Sequence, residues 1–215
     1  MKRLEALLYK GSCWAVFAVI VWMLGSLGRC YYGGLVTVAL IVCLKLVLGL
    51  ECGVKVKKVA ADHPWLLFAV TVAFAILIRM LAASFCKWYF SDGITTQVSD
   101  FGLLHKEASE IAKGHWVHSK SWVTVLLYGG VFKLFGNGVR VGFVTSFCFQ
   151  VVTAFCGFVL LKRWYNALTA ACFSLLFLCA PLVIFHNQNV ATEHVDIMLV
   201  MISLLTMFSL IEKAS

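Results

Sequence analysis

The sequence predicts an all-α protein, a polytopic membrane helix bundle with about six spanning helices and an outer juxtamembrane amphipathic helix. Three observations lead there. The chain is 62% hydrophobic and only 13% charged over 215 residues. Its apolar residues form continuous runs, several long enough to cross a hydrocarbon core of roughly 30 Å, and not the alternating pattern of a membrane barrel. Its polar residues gather in one island, 87–121, with four of the ten acidic residues and three of the six histidines.

The elements follow in order. Met1, Lys2, Arg3 and Lys10 precede an apolar run over 12–28. Gly28-Arg29-Cys30-Tyr31-Tyr32 offers no small-residue cleavage site, so this run reads as a retained helix. A second run covers 33–50, followed by Lys55, Lys57 and Lys58. Residues 1–64 thus read as two N-terminal membrane helices with a basic cytoplasmic loop. Residues 65–215 read as a second membrane module with its outer loop at 87–121. Its first run, 65–86, starts near Pro64-Trp65 and carries Arg79 near its outer end. Within the island, Phe101, Leu104, Ala108, Ile111 and Ala112 repeat at helical spacing, which predicts a surface helix started by Ser99 or Asp100 and ended by Gly114.

Further runs cover 122–136, 139–161, 166–185 and 195–211. Basic residues cluster on the cytoplasmic side of membrane proteins, so the N-terminus is expected inside and the island outside. The short run 122–136, with its Gly129-Gly130 pair, leaves two arrangements. If it crosses, Lys162 and Arg163 fall outside. If it only dips in, they fall inside and 186–194 joins the island. The second arrangement obeys the charge rule.

The net charge of +8 reads as topology-setting lysines and arginines, and no nucleic-acid partner is expected. The nine cysteines sit mostly in apolar runs and form no Cys-x-x-Cys pair, so they read as small hydrophobes. Cys30 and Cys86 share the outer side, with nothing further to pair them. Neither a serine-hydrolase elbow nor a phosphate-binding P-loop motif is present.

Two carboxylates stand out. Asp100 is either a helix cap, worth roughly 1 kcal/mol, or a general base toward a hydroxyl. Glu193 precedes the last run, where with Asp196 it either complements a helix N-terminus or faces a site. Placed on one side of the membrane, the pair suits transfer of a sugar from a lipid phosphate, with a divalent metal (Mg or Mn) held by Asp100 and Glu193 if one is used. The leaving phosphate needs cations. Lys106, His105, Lys113 and Lys87 are at hand, and each is otherwise a lipid-headgroup contact. Arg79 either snorkels to the headgroups or pairs with a lipid phosphate. Gln150 reads as an interhelical hydrogen bond.

Ser99-Asp100-Phe101 through Lys113-Gly114 resembles the first outer loop of GT-C type membrane glycosyltransferases, in the branch of protein mannosyltransferases and aminoarabinose transferases. Leu134-Phe135-Gly136, Leu160-Leu161-Lys162-Arg163, Pro181 and Thr192-Glu193-His194 resemble later motifs of that family. The resemblance covers 65–211 and corresponds to the N-terminal half of such enzymes. It implies catalytic roles for Asp100 and Glu193, a polyprenyl-phosphate sugar donor and transfer on the outer face of a cell-envelope membrane. Members usually run to more than twice this length, so the alternative is a non-catalytic subunit assisting another transferase or flippase. The expected partners are membrane lipids, the lipid-linked sugar and a partner membrane subunit.

Overall fold

The computed structural model describes residues 58–59, 61–85, 100–180, 183–184, 187 and 190–214, all within one compact unit, Val56–Ser215. The two helices expected in 1–64, Cys30, Cys86, Lys87, Ser99, Pro181 and His186 lie outside the described residues. Among the described residues the regular structure is helical throughout, in six helices: α1 (Pro64–Phe85), α2 (Asp100–Ala112), α3 (Trp122–Phe135), α4 (Val139–Trp164), α5 (Ala167–Cys179) and α6 (Thr192–Ala214).

Two of them, over Val139–Trp164 and Thr192–Lys213, are long and apolar enough to cross a membrane. That is fewer than the expected six. Helices α3 and α5, at 14 and 13 residues, reach only about 20 Å, short of a roughly 30 Å core.

Packing follows from where the small and polar residues fall. Gly142, Ser146, Gln150, Ala154 and Gly157 lie about one turn apart along the buried side of α4, a stripe that lets neighbouring helices approach closely. Helix α1 presents Thr71, Ala75 and Arg79 inward at four-residue spacing and leaves Leu66, Val70, Leu77 and Met80 exposed. Trp65 stacks near Phe155 and Phe158 at 5.9 and 5.7 Å, while Arg79 reaches Gln150, so α1 runs antiparallel to α4. Asn166 caps α5, its side-chain oxygen accepting from the Thr169 N–H at 2.8 Å. The tight turn sends α5 back along α4, where the Ser174 hydroxyl donates to the Ala154 carbonyl. Helix α6 is parallel to α4: His194 meets Gln150, and Arg163 pairs with Glu212 at 2.9 Å. Lys162, stacked over the Trp65 ring at 4.5 Å, belongs to the same end as that pair.

Helices α2 and α3 form an antiparallel hairpin beside the first half of α4. His105 stacks on Phe132 at 5.0 Å, and Gly129 lies against Ile111 and Ala108. The Tyr128 and Ser146 hydroxyls are hydrogen-bonded at 2.7 Å, and Tyr128 meets Phe149 edge-on at 5.2 Å. Leu104, Ala108, Val125, Tyr128, Phe132, Val190 and Val195 make the core of this half. Helix α3 meets α4 in its first half, at Gly142, Ser146 and Phe149. Gly136 at φ 87°, a left-handed conformation, ends α3 and turns the chain into α4.

Gly129 and Gly130 separate cleanly. A Cβ on Gly129 would sit 2.7 Å from Ile111 Cγ2 and 3.1 Å from the Ala108 carbonyl oxygen, whereas a Cβ on Gly130 would meet nothing within 4 Å. Gly129→Ala is therefore expected to destabilise by about 1–3 kcal/mol through overpacking, and Gly130→Ala to stabilise by up to about 1 kcal/mol. Thermal melts of both variants in one detergent check this; equal shifts would refute the close approach.

Candidate functional site

Asp100 is the first residue of α2, and Glu193 lies in the first turn of α6. Both line one open cleft of about 660 Å³, with Phe101, Leu104, Glu107 and Thr192. The segment between α2 and α3 closes its side with His118, Ser119, Lys120 and Ser121. That segment folds back because Gly114, at φ 87°, ends α2 and Val117 packs on the hairpin core. The cleft is recessed. His194, the third residue of α6, meets Gln150 eleven residues into α4, which sets the start of α6 about 14 Å along α4 from its first residue.

Glu193 also lines a second, smaller cavity of about 220 Å³, walled by Phe177, Val183 and Ile197 and reaching Gln150, Thr153 and His194. One carboxylate thus borders a polar cleft on one side and a mostly apolar pocket on the other.

The cations do not fall where the sequence expectation put them. Lys106 is exposed and is not among the residues lining the cleft. Lys113 pairs with Glu110 at 2.7 Å. His105 turns toward α3, where burial pushes its imidazole below its ordinary value against the opposing pull of a hydrogen bond to the Asn137 backbone. Arg79 does not snorkel: it is only 3% exposed. Its NH1 group donates to the Leu178 and Ala75 carbonyls at 2.8 and 3.2 Å, its NH2 group to Gln150 Oε1 at 2.8 Å, and its Nε to Asn187 Oδ1 at 3.3 Å.

The basic side chains lining the cleft are instead those of His118 and Lys120. Their one signal in the sequence was position, in the few residues between Gly114 and the next apolar run. Outside the cleft, hydrogen bonds from Lys113 and His115 hold the exposed Glu110 carboxyl down at about 2. Among the described residues, no three His, Cys, Asp or Glu side chains lie close enough together to hold a metal ion.

No protein-family model, curated protein or solved structure matches the chain.

The burial of His105 gives a pH dependence of known sign. Its imidazole resists protonation in the fold, whereas the unfolded chain takes up a proton below about pH 6.5. The folded state therefore loses stability as pH falls from about 6.5 toward the lowered folded value. His105→Phe, which keeps a ring against Phe132, is expected to lose less melting temperature between about pH 7 and about pH 5 than the parent. Parallel pH profiles would refute the assignment.

Proposed function

We propose that this chain is a multi-pass membrane protein of GT-C type that transfers a sugar from a polyprenyl-phosphate donor to an acceptor hydroxyl. The observation that carries the reading is the shared lining of one cleft by Asp100, Glu193 and Lys120, beside an apolar pocket that also touches Glu193.

Asp100 takes the proton of the acceptor hydroxyl. The freed oxygen attacks the anomeric carbon as the bond from that carbon to the phosphate oxygen breaks, inverting the centre. The lipid phosphate leaves with its electron pair, and Lys120, assisted by His118, balances the growing charge. Glu193 orients the acceptor. A divalent ion would take most of its ligands from substrate and water, since among the described residues no three protein ligands cluster, and no step is routed through one.

In this reading the end carrying Lys58, Lys162, Arg163 and Lys213 faces the cytoplasm with the N-terminus, by the positive-inside rule, and the cleft faces outward. A second reading, a non-catalytic membrane subunit, is favoured by α6: only 17% of its apolar window is buried, against 50% for α4, which leaves room for a partner helix.

Purified protein with a polyprenyl-phosphate sugar separates the two. On the enzyme reading, Asp100→Asn abolishes transfer while the protein still inserts, and Lys120→Ala raises the donor KM about tenfold, the cost of one charged hydrogen bond. Full transfer by Asp100→Asn would remove Asp100 from the mechanism, and no transfer by the parent would leave the subunit reading.

Orientation has its own test, in a background whose reactive native cysteines are replaced. Ser121→Cys should react with an impermeant maleimide from outside intact cells, and Lys162→Cys only after the membrane is opened. Labelling of both from one side would overturn the topology.

A further inference from the structure

We propose that Arg79 and Gln150 are positioning residues for Glu193, acting through one chain of hydrogen bonds that crosses from α1 to α4 to α6. The proposal rests on the reading of Glu193 as part of the transfer site, and it adds the device that aims it.

A guanidinium only donates, and it keeps its charge at any pH the protein meets. Arg79 NH2 lies 2.8 Å from Gln150 Oε1, so the Gln150 amide has one admissible orientation: oxygen toward Arg79, nitrogen away. The nitrogen then points at the Val183 carbonyl, 3.2 Å away, and at the ring of His194, with both ring nitrogens at 3.4 Å. A flipped amide would set NH2 against the Arg79 donor and an oxygen against the Val183 carbonyl. Arg79 thereby dictates which group Gln150 shows to α6.

The same guanidinium holds the segment leading into α6. Nε donates to Asn187 Oδ1, and Asn187, which has no exposed surface, passes its own amide N–H to the Phe143 carbonyl at 2.9 Å. The Leu178 carbonyl at the end of α5 takes NH1. Through Arg79 and Gln150, four points between α5 and α6 (Leu178, Val183, Asn187 and His194) are referred to one rigid fork. Glu193 immediately precedes His194 in the chain, so the rotation of this first turn sets whether its carboxylate faces the cleft. Lysine could not substitute: a single ammonium lacks the planar fork that meets Asn187, Leu178 and Gln150 together.

The test uses the full-length protein in lipid nanodiscs with a polyprenyl-phosphate sugar. Arg79→Lys and Gln150→Leu should each lower kcat about 10- to 100-fold with donor KM little changed, as expected when the group that orients the acceptor is misplaced by about 1 Å. Combined with Glu193→Gln, Arg79→Lys should cost nothing further, because the group it aims is already disabled. Additive losses would overturn the proposal and leave Arg79 as general scaffolding.

Should the parent transfer no sugar, the function falls but the positioning claim is still decided. Amide hydrogen exchange over Asp196–Leu199 should speed up in Arg79→Lys and in Gln150→Glu, which keeps the acceptor for Arg79 but loses the donor to His194. Exchange over Ala170–Ser174 of α5 should stay unchanged and certify the fold. Equal exchange across α6 in parent and variants would refute it.

Discussion

The structure hangs on a buried guanidinium. Arg79 lies inside a chain that is 62% hydrophobic, where an ionised side chain tends to be costly to remove from water unless its hydrogen bonds are met. It meets them by collecting carbonyl and amide oxygens from α1, α4, the end of α5 and the segment before α6. Phe147 adds an aromatic face at 4.5 Å. Apolar burial alone chooses less strongly between rotations of one helix against another, because the hydrophobic effect is non-directional. A forked donor with fixed geometry does choose. The register of α1 against α4, and of both against α6, is therefore set more by Arg79, Gln150 and Asn187 than by the leucines around them.

The two halves of the bundle are held differently. Away from the cleft, aromatic rings and ion pairs do the joining: Trp65 against Phe155 and Phe158, Trp164 against Phe208, Arg163 against Glu212. Beside the cleft, a small-residue seam does it, with Gly129 admitting Ile111 and Gly142 lying close to Phe132 and Val190. The Tyr128 hydroxyl, bonded to Ser146 at 2.7 Å, closes that seam next to the start of α6. The cleft opens where the two kinds of packing meet, at the level at which α6 begins partway down α4.

Much of this was legible in the sequence, and the limits have physical causes. Helix α2 was readable because amphipathic spacing and the Gly114 stop are local signals, and α3 because it is a continuous apolar run. Gln150 was readable as an interhelical hydrogen bond because an amide in an apolar run has few other uses. Arg79 was not, since a cation near the end of an apolar run reads equally as a snorkelling side chain, and only the partners on α4 and α5 separate the two. The shortness of α3 was visible, but its return along α4 depends on contacts from Tyr128 and Phe132 that no spacing encodes. Lys120 and His118 were passed over for Lys106, His105 and Lys113, which lie nearer Asp100 in sequence. The chain folds back after Gly114, and that reversal brings the later pair to the cleft.

The order of synthesis gives the Arg79 network a further meaning. Helix α1 leaves the ribosome well before its acceptors do: Gln150 follows Arg79 by 71 residues and Asn187 by 108. Over that interval Arg79 lacks the α4, α5 and Asn187 acceptors that meet it in the finished fold, and a charge kept from water without its hydrogen bonds is costly. The packing of α1 is thus incomplete until α4 arrives, and is completed only when the segment before α6 closes around the guanidinium. Assembly is gated from the C-terminal side, so a chain interrupted before Gln150 would leave the Arg79 charge without its partners on α4, α5 and the segment before α6, a mark by which quality control could tell a half-made protein from a finished one.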